Sequence, residues 1–221
     1  ALEQWVAWRP TERKGKWTKQ PINPHNGKPA SSTDPSTWGT LAEAMKYHDT
    51  HDDSRGVGLV FHASERESND GKLIPWHGGG MVGVDLDHCI GDDGTIATWA
   101  KEIIQRFPTY AEVSPSRCGV KVWAKAPALA SGKNHRDWPE PGAGVEMYSS
   151  GRYFTITGAR LEGAPREVTD CSAAVAELSA RMVADGEAKR AKARPASGGN
   201  GKAHESATVG AAEARASVAG G

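Results

Sequence analysis

Residues 81–90 read Met-Val-Gly-Val-Asp-Leu-Asp-His-Cys-Ile. The apolar opening and the alternation that follows predict a β-strand. A period of two turns Asp85 and Asp87 to one face and sends Val84 and Leu86 to the other, into a core. Two like charges held so close are costly unless a cation lies between them. Carboxylate oxygens suit hard divalent ions, Mg²⁺ or Mn²⁺. Read alone, the same run also describes an edge strand carrying two solvated acids.

Outward from this strand, the chain alternates between short elements. Residues 94–107 form an amphipathic pattern, with Ile96, Trp99, Ala100, Ile103 and Ile104 on one helical stripe. Residues 56–61 (GVGLVF) predict a buried strand, and residues 110–113, 120–124, 144–148 and 153–157 predict further short strands punctuated by Gly and Pro. Strands that neighbour strands in sequence favour hairpins, so the expected class is α+β with an antiparallel or mixed sheet flanked by helices. Residues 40–51 predict a helix with Leu41, Ala44, Met45 and His48 on one face. Residues 169–192 predict a closing helix, with Val175, Leu178 and Met182 at helical spacing and Thr169 or Asp170 as its N-cap.

The two ends differ from the middle. Residues 5–8 suggest a short strand, followed at 13–21 by a basic loop interleaved with Trp17. Residues 1–28 hold six Lys or Arg against two Glu. Lys14, Lys16, Trp17 and Lys19 are therefore candidate contacts for nucleic-acid phosphates, or else a solvated turn. From 186 to 221, 18 of 36 residues are Ala or Gly, a composition that cannot bury enough surface to offset its ordering entropy. The expected organisation is one domain over 1–185 and an Ala/Gly-rich linker or flexible, disordered tail over 186–221.

Composition narrows the function classes. Lys plus Arg and Asp plus Glu both number 27, so any polyanion contact must rest on local clusters. No apolar run approaches the roughly 20 residues that span a bilayer, so no membrane partner is expected. Residues 1–5 (ALEQW) have neither the basic nor the apolar region of a signal peptide. Their lack of a Met reads as trimming. Cys89, Cys118 and Cys171 lie far apart, which argues against a disulfide scaffold or a structural zinc site and for a reducing, cytoplasmic setting.

Three further segments carry chemistry. In residues 144–148, Glu146 is a single acid among apolar neighbours, a candidate third ligand beside the Asp pair. Two divalent ions about 4 Å apart are an arrangement used for in-line phosphoryl or nucleotidyl transfer. Residues 114–123 (SPSRCGVKVW) place Ser114, Ser116, Arg117 and Lys121 on a turn that opens into a strand, suited to a triphosphate. Arg152 precedes a strand in which Tyr153 or Phe154 is available to stack on a base. Each segment alone also reads as an ordinary hairpin or core strand.

As a set, hhDhD (where h is apolar), then SPS-x-x-G-h-[HK], then hE, then GRYFTITG resembles the archaeo-eukaryotic primase superfamily. More narrowly, it resembles the bifunctional primase–polymerase (prim-pol) domain of phage and plasmid replication proteins. The opening segments WVAWR (5–9), KWTKQP (16–21), NPHNG (23–27) and DPSTW (34–38) are also similar to that family, so the resemblance covers about residues 2–160. It implies an RRM-like catalytic core with an N-terminal α/β unit. Asp85, Asp87 and Glu146 would be the metal-binding acids, and Arg152 a phosphate contact. The family's phosphate-contacting His is replaced here by Lys121, a cation that can still hold a phosphate but cannot serve as a near-neutral acid or base without a large pKa shift. Its small residue after SPS is Arg117. The implied activity is primer synthesis or extension on a single-stranded DNA template from nucleoside triphosphates, in a bacterial or phage-infected cell, with a helicase module on this chain or another as a partner. Two other readings stay open: a non-polymerising binding module, and a glycosyltransferase holding a metal–nucleotide-sugar complex on Asp85 and Asp87.

Overall fold

The computed structural model describes residues 3–62, 65–67, 73–75 and 80–193. Strand β1 (Trp5–Arg13) turns through Lys14-Gly15 into β2 (Lys16–Ile22). Both turn residues have positive φ, 52° and 72°, as a two-residue type I′ hairpin requires. The basic segment expected as a loop is therefore a paired ribbon, with Arg13 opposite Lys16 and Ala7 opposite Ile22. Its tip has no buried face, so it lacks the alternation by which strands are recognised in sequence.

Helix α1 (Leu41–Thr50) opens on a capping box between Thr40 and Glu43. It buries Ala44 and Tyr47 rather than the expected Leu41–Ala44–Met45–His48 face. Tyr47 packs with Ala7 and Ile22 and stacks on His51 at 3.8 Å between ring centroids. That larger side chain rotates the helix and leaves Leu41 and Met45 exposed. Both line a cavity of about 1100 Å³ together with Trp5, Trp8 and Ile156.

The chain continues through β3 (Gly56–Phe61), a small antiparallel pair β4 (Glu65–Glu67) and β5 (Leu73–Pro75), and β6 (Met81–Asp87). Helix α2 (Thr98–Gln105) starts later than its apolar stripe predicts. Asp93 accepts from the Thr95 N–H, Gly94 has a positive φ, and Ile90 bridges to Ile96, so these residues form a closed turn instead of a first helical turn. Then follow β7 (Ala111–Val113), β8 (Val120–Lys125), β9 (Lys133–Arg136), β10 (Gly144–Tyr148), β11 (Arg152–Ile156) and α3 (Ser172–Ala193). Asp170 accepts from the Ser172 N–H at the start of α3. This helix runs on through Gly186, past the compositional boundary. Residues 194–221 lie outside the described residues, as does His77.

The larger sheets are both antiparallel, in the orders β11-β3-β1-β2 and β7-β8-β6-β10-β9. The class is α+β as expected. Val82, Val84, Leu86, Val120, Val122, Val145 and Met147 face α2 and α3, whose Trp99, Ile103, Val175, Leu178 and Met182 complete the main core. A second cluster, Leu59, Phe61, Trp123, Tyr148 and Phe154, joins the two sheets. Gly83 permits that approach, because a Cβ there would lie 2.4 Å from the Phe61 ring and 2.6 Å from the Phe154 ring.

Candidate active site

Strand registry brings the predicted acids together. Asp85 on β6 stands opposite Glu146 on β10 and opposite Lys121 on β8. Lys121 in turn stands opposite Glu112 on β7, and Glu146 opposite Asn134 on β9. Directly paired residues on adjacent strands share a face. Glu112, Lys121, Asp85, Glu146 and Asn134 thus form one polar row across all five strands, on the face away from α2 and α3. Asp87 lies two residues along β6 on the same face, opposite Gly144. A Cβ at 144 would sit 3.1 Å from the Asp87 Cβ, so glycine keeps the space beside this carboxylate open.

The row is charged; it is shielded from water at its Glu112, Lys121 and Asp85 end and opens to solvent at Asn134. Lys121 is only 5% exposed. Its ammonium donates to Asp85 Oδ2 and lies 4.2 Å from the centre of the Phe154 ring. Asp85 Oδ1 is buried with no hydrogen-bond partner. Burial raises the Asp85 pKa, with Lys121 opposing. Glu146 is also raised, first by burial and then by repulsion from Asp85 and Asp87. Its Oε1 accepts from Asn134 Nδ2 at 2.5 Å.

Lys19, expected to contact nucleic acid from a loop, is an exposed residue of β2 within electrostatic reach of Lys121, Asp85 and Asp87. Desolvation lowers its pKa and Lys121 lowers it further, while Asp85 and Asp87 pull it back. Its carbonyl accepts from the Tyr153 hydroxyl at 2.5 Å. Lys14, Lys16 and Trp17 stay at the exposed hairpin tip, with Trp17 74% exposed.

The Ser/Gly turn lies against the end of β6. A Cβ on Gly119 would come 2.7 Å from the Leu86 carbonyl oxygen and 3.6 Å from the Asp87 Cα. Ser114 Oγ and Ser116 Oγ are 2.9 Å apart. Arg117 is exposed with φ of 63°, and with Ser114 it lines the large cavity, whose walls do not include the three acids. Arg152 is exposed and stacks over Tyr148 at 5.0 Å. Phe154 is 4% exposed and held by Phe61 and Trp123, so the expectation of a base-stacking ring does not extend to it.

Two members of the row were not singled out from sequence. Asn134 sits on β9, a strand hidden among polar residues. Glu112 was read only as part of a strand, yet it is fully buried. It accepts from the Tyr110 hydroxyl and from the Thr157 and Gly158 N–H groups, partners no local pattern reveals.

The donor set fits a hard divalent ion: three carboxylates on one face, one with an orphaned buried oxygen, two with raised pKa values. It is not a preassembled cage. Among the described residues, no group of three or more His, Cys, Asp or Glu side chains is arranged to hold a metal. Asp85 is turned to Lys121 and Glu146 to Asn134.

No family model matches the chain. Among curated proteins, it is 34% identical over 170 residues to the DNA primase-polymerase of Nitratiruptor phage NrS-1, a match covering 72% of this chain and 20% of that protein. The chain thus spans about a fifth of the length of the relative it matches.

Proposed function

We propose that this chain, which resembles part of a phage DNA primase-polymerase, is a template-directed nucleotidyltransferase that makes or extends primers on single-stranded DNA. The observation that carries this reading is the registry of Asp85 with Glu146, with Asp87 one step along the same face and two lysines beside them. Such an array lets developing negative charge be met by groups already in place.

Asp85, Asp87 and Glu146 would hold Mg²⁺ or Mn²⁺, which when bound supplies Lewis-acid activation of the attacking oxygen and charge neutralisation at the leaving pyrophosphate. The protein's own groups do the rest. Lys121 fixes the Asp85 carboxylate through Oδ2, and Asn134 fixes Glu146. Gly144 leaves Asp87 uncrowded. Lys19 places a cation where triphosphate charge would approach, and Arg152 and Ser116 are exposed donors for further phosphate oxygens. Lys14, Lys16 and Trp17 track template or primer without reading sequence.

Extension of a labelled primer by wild type and by Asp87→Asn, with Mg²⁺ or Mn²⁺ and each nucleotide type, tests the proposal. Wild type incorporates nucleotides; the variant keeps its thermal unfolding midpoint within a few degrees and loses at least a hundredfold in rate. No incorporation by wild type under any condition would favour a nucleotide-binding module instead.

A further inference from the structure

Lys121 does something a phosphate-contacting side chain would not do. It is almost fully buried, its ammonium is committed to Asp85 Oδ2, and its other side is covered by the face of the Phe154 ring. It is embedded within the polar row, between Glu112 and Asp85, and not at the row's edge. The carboxylate it binds is the central acid of the row, the one paired by registry with Glu146.

We propose that Lys121 is a tethered monovalent cation standing where one of two divalent ions would otherwise be bound, so that this site takes a single divalent ion. The inference rests on the metal reading above and deepens it. An ammonium on Asp85 Oδ2 occupies that oxygen's coordination and repels a second dication beside it. Asp85 Oδ1, Asp87 and Glu146 remain as donors for one ion. The Phe154 ring holds the ammonium in place through its negative face, and Glu112 does not compete for it, because its carboxylate is taken up by Tyr110, Thr157 and Gly158.

The test counts ions rather than products. The full chain is titrated with Mn²⁺ alone, and bound metal is measured from the loss of the free-ion paramagnetic resonance signal, for wild type, Lys121→Met and Asp87→Asn. The expected counts are one Mn²⁺ for wild type, two for Lys121→Met, and at least tenfold weaker binding for Asp87→Asn. Should Lys121→Met fail to fold, Lys121→Gln, which keeps a donor for Asp85, is read the same way. A wild-type count of two, or a variant count equal to or below wild type, overturns the tethered-cation proposal and leaves the metal reading standing. A wild-type count of zero overturns both.

Discussion

Asp85, Glu146 and Asp87 illustrate a conflict between stability and chemistry at the level of single side chains. Burial and mutual repulsion raise the pKa values of Asp85 and Glu146 above those of free carboxylates. A raised acid binds its proton more tightly in the folded state. Its favourable contribution is therefore complete below the unfolded value and lost as pH rises through the folded one. Glu146 ionised at neutral pH is a net burden on the fold. Glu146→Gln keeps an acceptor for Asn134 and removes that burden. The expected outcome is a higher unfolding midpoint than wild type at pH 7, a difference that disappears as pH falls below the carboxylate range, and loss of primer extension. Thermal melts across pH measure the first two. A midpoint at pH 7 equal to or below wild type would show that the row imposes no electrostatic strain.

At the level of elements, the β1–β2 hairpin separates two roles that sequence alone merges into one basic patch. Its tip presents Lys14 and Lys16 to solvent, while Lys19, also exposed, lies within electrostatic reach of the acids on the central sheet. Counterion release makes phosphate contacts visible in the salt dependence of binding, with a slope of about −0.7 per contact on single strands. Substituting Lys14 and Lys16 together by Ala is expected to weaken single-stranded DNA binding equally for all sequences. It should also make the log–log salt slope shallower by about 1.4, as read by fluorescence anisotropy at several salt concentrations. An unchanged slope would assign the tip to solvent alone. Helix α1 shows the complementary lesson. Its existence and its cap, Thr40 with Glu43, are local and readable, but the face it buries is set by Tyr47 meeting Ala7 and Ile22.

At the level of the molecule, two antiparallel sheets are joined by aromatic rings rather than by a shared strand. Phe61, Trp123 and Phe154 meet at centroid distances of 4.8 to 5.6 Å, over a glycine at 83 that leaves room for them. The same Phe154 supports Lys121, so the joint and the candidate site share a residue. Phe61→Ala is expected to cost about 3–5 kcal/mol, with both sheets still unfolding in one transition in a denaturant titration followed by tryptophan fluorescence. Two separated transitions would show that the sheets are independent units.

Sequence by itself determined what is local or periodic. Residues 56–61 and 144–148 are strands with the bounds their composition predicts. The alternation of residues 84–87 settles which face the two aspartates share, since a strand's side chains repeat every two residues. What only the tertiary structure decided is registry and commitment. Asp85 and Glu146, 61 positions apart in the chain, become direct partners because hydrogen bonding aligns β6 with β10. Lys121 is spent on Asp85 rather than left open, and Glu112 is buried against Thr157 and Gly158. These pairings depend on energies between segments that meet only after the chain has folded, so no window of sequence contains them.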